Sequence, residues 1–122
     1  MREIKNAKIK STMLGNEDHG ILTCFLHLDY SGSGQGFGGY CFDSPVGLGG
    51  DFKGRIGTAY GMEFIRKIIE TLEVEKWEDL PGTFCRSDCE HSKIHRIGHI
   101  TKDKWFDPAT DLAQFLTKEE AA

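Results

Sequence analysis

Ile21-Leu22-Thr23-Cys24-Phe25-Leu26-His27-Leu28-Asp29-Tyr30-Ser31-Gly32-Ser33-Gly34-Gln35-Gly36-Phe37-Gly38-Gly39-Tyr40 reads as a strand, a turn and a returning strand. Leu22, Cys24, Leu26, Leu28 and Tyr30 fall on one face of the first strand, and Thr23, Phe25, His27 and Asp29 on the other. Ser31–Gly34 turns the chain. Residues 35–43 return, with Gly36, Gly38, Tyr40 and Phe42 on one face and Phe37, Gly39 and Cys41 on the other. Residues 31–61 hold eleven of the fifteen glycines. Glycine at that density costs folding entropy and allows sharp turns or close approach of the backbone to another surface. A tightly twisted or bulged hairpin packed against a helix is the plainer reading. A close-approach platform for a ligand is the functional one.

Two phosphate-binding motifs are excluded here. Gly34-Gln35-Gly36-Phe37-Gly38-Gly39 fits the glycine spacing of a dinucleotide fingerprint, but Tyr40-Cys41-Phe42 continues as strand, where that fingerprint needs a helix. No Gly-Lys-Ser/Thr ending is present for a P-loop.

Outward from this hairpin the order of elements is α+β. Residues 3–13 alternate weakly, with Ala7, Ile9, Ser11 and Met13 on one face, and read as an edge or surface strand. Gly15–Gly20 is a turn-rich loop, and residues 44–57 are a loop with Pro45. Residues 58–73 form an amphipathic helix with Phe64, Ile65, Ile68, Ile69 and Leu72 as its apolar stripe and Thr58 as its cap. Glu63–Lys67 and Arg66–Glu70 are spaced for ion pairs on its wet face. Trp77 and Leu80 anchor a short turn before Pro81-Gly82. Residues 83–89 and 93–101 read as a second hairpin. Asp107-Pro108 starts a last helix docked by Leu112, Phe115 and Leu116, and Lys118–Ala122 frays. The expected architecture is one α+β domain over residues 1–122. A small antiparallel sheet of about five strands packs against one main amphipathic helix, followed by a short C-terminal helix.

The 122 residues suffice for a core without disulfides. The longest apolar runs fall far short of the roughly 20 residues that cross a bilayer. Met1-Arg2-Glu3-Ile4-Lys5 lacks the apolar core of a signal peptide, so a cytoplasmic location and no membrane partner are expected. Four cysteines in that compartment suggest thiols or metal ligands. A formal charge of −4 argues against broad, direct nucleic-acid binding. Charge is uneven, however. Arg2, Lys5, Lys8 and Lys10 make the first thirteen residues basic, and Glu63, Glu70, Glu73, Glu75, Glu78 and Asp79 make residues 63–80 acidic. An acidic helix face is ordinarily solvated, and otherwise docks on a basic partner.

Cys85, Cys89, His91 and His95 carry the sharpest chemical pattern, two thiols followed by imidazoles. Cys-x3-Cys-x-His is not a common zinc spacing. If residues 93–101 are a strand, His95 and His99 stand about 13 Å apart. A surface hairpin carrying these residues is therefore preferred, with zinc as the alternative and no cofactor as the expectation. Phe37, Tyr40, Lys53 and Arg55 compose the ligand platform, with Tyr30 as a further ring; the aromatics would stack on a base and the cations meet a phosphate. His19 beside Asp18 and Glu17, and His27 with Asp29, are base-and-carboxylate pairs lacking an identifiable nucleophile. Catalysis is thus not the favoured reading. Trp77, Trp105 and Phe106 lie in short segments between elements, which favours a homodimer slightly.

Glu17–Ile21, Gly34–Tyr40, Gly61–Ile65, Lys76–Gly82 and Lys104–Pro108 resemble an uncharacterised family of small phage- and prophage-encoded proteins, over nearly the whole chain. The resemblance brings no catalytic residues. It implies a mobile-element accessory protein that counters host defence. Three functions follow in order. The first is a non-catalytic inhibitor that binds a host immune protein, of the anti-CRISPR kind, through Glu70, Glu73 and Glu75. The second is a sponge that sequesters a nucleotide immune signal on the glycine platform. The third is a small zinc-binding structural module.

Overall fold

The computed structural model describes residues 2–17, 20–45 and 55–115. Among the described residues eight strands and two α-helices follow in the order β1 (Glu3–Gly15), β2 (Thr23–Asp29), β3 (Gly34–Gly38), β4 (Asp43–Pro45), β5 (Arg55–Gly57), α1 (Ala59–Leu72), β6 (Phe84–Glu90), β7 (Lys93–His99), β8 (Trp105–Phe106) and α2 (Pro108–Asp111), with a 3-10 turn at Trp77–Asp79. The main sheet has six antiparallel strands in the order β3-β2-β1-β6-β7-β8, and β4 and β5 pair separately as a ribbon. The expected α+β class holds, with one strand more in the sheet than the five expected and the ribbon besides. The ribbon and β8 are too short to leave a period-2 pattern.

β1 is the centre of the sheet, not an edge. It pairs with β6 over Glu3–Lys8 and with β2 over Lys8–Gly15. Its two neighbours therefore overlap only at Lys8. A bulge at Lys10, between Ile9 and Ser11, adds local twist. The offset and the bulge coil the sheet until β3 comes back toward β7. Weak alternation in β1 has the same cause. Ala7 and Ile9 are buried, but past the bulge Ser11 is exposed.

The returning strand breaks at Gly38 and Gly39, with φ of 137° and 85°. A Cβ on Gly38 would overlap the Cys24 carbonyl, and one on Gly39 would press on the Phe25 ring at 3.0 Å. This break changes the parity of the chain. Phe37 and Phe42, expected on opposite faces, are both 1% exposed and both reach the core. Gly39 N still donates to Cys24 O at 2.9 Å and Phe42 N to Leu22 O at 2.7 Å, so the segment keeps following β2.

Helix α1 lies in the hollow of the sheet. Thr58 Oγ1 accepts from Gly61 N at 3.0 Å, and Glu73 ends the helix in the left-handed region with φ 57°. The buried stripe is Tyr60, Gly61, Phe64, Ile68, Thr71 and Leu72. Gly61 is small because Phe42 packs directly on it. Arg66 takes both Glu63, at 3.1 Å, and Glu70, at 2.9 Å, where Glu63 was expected to pair with Lys67. Asp107 caps α2 by accepting from Ala109 N at 3.1 Å, with Pro108 in the first turn, and Leu112 is fully buried. Leu116 and the tail lie outside the described residues.

The aromatics between elements are placed by this fold. Phe106 is fully buried and Trp77 packs partly on the core. Trp105 lies across Gly98 on the outer face of the sheet, with the Arg86 and Arg96 guanidiniums 4.6 and 4.2 Å from its ring. Each has a place within the chain, so the dimer loses the argument drawn from them.

Gly38→Ala is expected to destabilise the protein by about 2 kcal/mol or more, through strained φ and the overlap with Cys24. Gly36 has ordinary space, with 3.6 Å to Phe25 Cδ1, so Gly36→Ala should stay within about 1 kcal/mol of the parent. Thermal unfolding of both variants checks this. Equal losses would show that the parity break is not what Gly38 supplies.

Candidate ligand cleft and partner surface

Tyr30 and Gln35 clasp the curled sheet at one end. The Tyr30 hydroxyl donates to Gln35 Oε1 at 2.7 Å and shares a hydrogen bond with Ser87 Oγ at 3.0 Å. Gln35 Nε2 donates in turn to the carbonyls of Glu90 at 2.8 Å and His91 at 3.2 Å. Burial pushes the Tyr30 hydroxyl up to about 12, with a smaller upward contribution from Cys89. It stays protonated and keeps donating at any physiological pH. Lys5 stands over its ring at 4.8 Å.

Between this clasp and α2, the rim of β3 faces the start of β7 across two adjoining clefts. The first, about 320 Å³, is walled by the bare backbone of Gly36, Gly38 and Gly39 and by Ser92 and Lys93. The second, about 260 Å³, is walled by Tyr40, Tyr60, Cys41 and Pro108. Tyr40 and Lys93 belong to both.

The expected platform is only partly assembled here. Phe37 is not available for stacking. It is buried, with its ring centroid 5.7 Å from Phe64 and 6.2 Å from Phe106. Its pairing opposite buried Leu26 puts it on the core face, and the parity break after it brings Phe42 to the same core. Tyr40 packs on Phe64 at 5.2 Å yet remains half-buried and lines both clefts. Arg55 is engaged in the β4–β5 ribbon, paired to Asp43 Oδ1 at 2.9 Å and donating to Asp43 O at 3.2 Å. Burial works to raise the Asp43 carboxyl, but hydrogen bonds from Arg55, the Leu22 amide and Cys41 together hold it below its usual value. Lys53, like Asp18 and His19, lies outside the described residues. His27 is exposed and stacked on Phe25, while Asp29 Oδ1 accepts from Ser31 N at 2.9 Å. Asp29 serves the turn, and His27 stacks within its own strand. Ser92 and Lys93 were missed because no sequence period places the β6–β7 turn opposite the glycines, and Tyr60 because in the first turn of α1 it reads only as a helix residue.

The acidic trio separates into different environments. Glu70 is exposed and paired to Arg66. Glu75 is exposed, without an ion pair among the described residues. Glu73 is a structural group. It meets Lys102 at 2.8 Å, Lys104 at 3.0 Å and His99 at 3.6 Å. Lys104 Nζ also donates to Glu70 O at 3.0 Å, so these cations neutralise the C-terminal end of α1. Hydrogen bonds from Lys102 and then Lys104 bring the Glu73 carboxyl from 4.5 down to about 2.

Cys85, Cys89, His91 and His95 do not converge. Cys85 and Cys89 are buried on the inner face of β6, about 13 Å apart by strand rise. Burial pushes the Cys85 thiol up to about 12, so it stays protonated. His91 is exposed on the turn, and His95 Nε2 lies 2.6 Å from Glu90 Oε2. A bulge opposite Asp88 and Cys89 is what turns His95 away from the thiols. Among the described residues no group of three or more His, Cys, Asp or Glu side chains could hold a metal ion. No helix among them is long and apolar enough to cross a membrane. No protein-family model, curated protein or solved structure matches the chain.

Because the folded-state pKa of Glu73 is depressed, its stabilisation is present above about pH 4.5 and is lost as pH falls through about 2. Glu73→Gln should lower the melting temperature at pH 7, and the gap to the parent should close between pH 4.5 and 2. Melting curves across that range test it. A gap constant with pH would show that the charge of Glu73 is not what stabilises the corner.

Proposed function

We propose that this protein acts by binding a partner and not by catalysis. It is an accessory protein of phage type that works in the host cytoplasm by inhibiting a host immune protein, of the anti-CRISPR kind. One observation carries the reading. Glu70, Glu75, Glu78 and Asp79 stand exposed at the end of α1 and in the turn after it, with Lys76 as the one cation among residues 70–79. Glu75, Glu78 and Asp79 have no ion pair among the described residues. A solvated acidic ridge of this length complements the basic channel of a nucleic-acid-handling protein, and its field steers association. The phage-family resemblance supplies the kind of partner.

The buried ionisable groups support the same view by having structural partners. Asp88 is held by Arg2 at 2.9 Å and Arg96 at 2.7 Å, hydrogen bonds that keep its carboxyl below the usual range. Asp43 is held by Arg55. Cys24 is pushed up to about 12 by burial and is a protonated core thiol.

The test uses purified immune effector complexes and a target-binding assay. The parent protein should block target binding. Reversal of Glu70, Glu75 and Glu78 to Lys should weaken that block by at least about tenfold, or 1.4 kcal/mol, with the fold retained by circular dichroism. Glu73 is left intact because its reversal would break the corner with Lys102 and Lys104. Full inhibition by the reversed protein would remove the ridge from the mechanism. Inhibition of no effector by the parent would overturn the reading.

A further inference from the structure

We propose that the two clefts around Tyr40 form one site for a compact aromatic anion, of the class of a phosphorylated nucleoside. The ring lies against half-buried Tyr40 beside Ala109, with Tyr60 and Pro108 buried beneath, and the phosphate lies over the glycine backbone beside Ser92 and Lys93. This assignment stands apart from the acidic ridge and does not depend on it.

Three observations meet here. The clefts differ in chemistry but share Tyr40 and Lys93, so a ligand spanning both has an apolar aromatic half and a polar half. Each is near the lower end of small-molecule pockets, roughly 300–1,000 Å³, and together they suit a two-part ligand. No carboxylate lines either cleft, the nearest being Asp107, which caps α2 and acts on Tyr40 from beyond Pro108, while Lys93 is exposed and makes no ion pair among the described residues. The preference is therefore for an anion. The third observation concerns the glycines. Gly38 and Gly39 are required by their positive φ, but Gly36 is not. A Cβ there would make only ordinary contact with Phe25, and glycine within a strand costs about 0.5–1 kcal/mol relative to alanine. The fold gives no reason for a bare backbone at Gly36, and close approach of a ligand does.

Calorimetry with AMP, GMP, adenosine and inorganic phosphate, joined to an amide NMR titration, tests the site. A nucleotide should bind at micromolar level, with adenosine and phosphate each at least about tenfold weaker. Amide shifts should concentrate at Gly36, Gly38, Gly39 and Lys93. Lys93→Glu, a surface change, should weaken the nucleotide by at least about tenfold, and Gly36→Val should do likewise at nearly unchanged melting temperature. Reversal of Glu70 and Glu75 should leave nucleotide affinity intact, so failure of the site and failure of the ridge are told apart. No heat with either nucleotide at about 1 mM overturns the proposal. So does binding that neither Lys93→Glu nor Gly36→Val alters, or binding whose shifts fall elsewhere.

Discussion

Phe64 is fully buried, and five aromatic rings close on it. Phe42 and Phe106 lie 4.9 Å from its centroid, Tyr40 5.2 Å, Phe37 5.7 Å and Tyr60 6.0 Å. These rings come from β3, the segment after it, α1 itself and β8. Burying them together fixes where α1 sits and how far the sheet must coil to reach it. A regular strand could not deliver both Phe37 and Phe42, since five residues of extended chain place them on opposite faces. The glycine pair at 38 and 39 resolves this by breaking the strand between them. Much of what reads in the sequence as a candidate binding loop is thus a device for packing.

The same coil creates the surface features. A closed barrel would pair the free edge of β3 with the part of β7 that the short β8 leaves uncovered. Here the Tyr30–Gln35 clasp bridges one end, and Tyr40 with α2 fills the other. What lies between is cleft, walled by backbone where glycine withholds a side chain. At the opposite corner, Lys102 and Lys104 hold the end of α1 through Glu73, so the strongest ion network of the acidic segment is internal. The remaining acids of that segment are left to face solvent.

The outer sheet face carries both signs of charge and an exposed ring. Lys8 and Arg86 share the outer sheet face, with Phe84 opposite Lys8 and 57% exposed. Asp88 on that face is consumed by Arg2 and Arg96. Arg86 also reaches the carbonyl of Lys102, whose side chain pairs with Glu73 at the end of α1.

Sequence alone determined the α+β class, both long hairpins, the helix with its Thr58 cap, and the Asp107-Pro108 helix start. These rest on local periods and on cap chemistry, which operate within a few residues. It also singled out the glycine segment, where the returning strand breaks. Tertiary structure decided the rest. β1 became central because both hairpins needed a strand between them, and its weak alternation reflects the bulge at Lys10. Phe37 went inward because its register sets it opposite Leu26, and Phe42 joined it because backbone φ at Gly38 and Gly39 resets parity, which is not written in hydrophobic pattern. Arg55 was taken by Asp43, and Glu73 by Lys102 and Lys104, through contacts between segments far apart in the chain. The cysteines and histidines of the second hairpin diverged because strand faces and one bulge, not sequence proximity, aim their side chains. Ser92 and Lys93 met the glycines only because the sheet coils, a consequence of offset pairing along β1 that no single segment encodes.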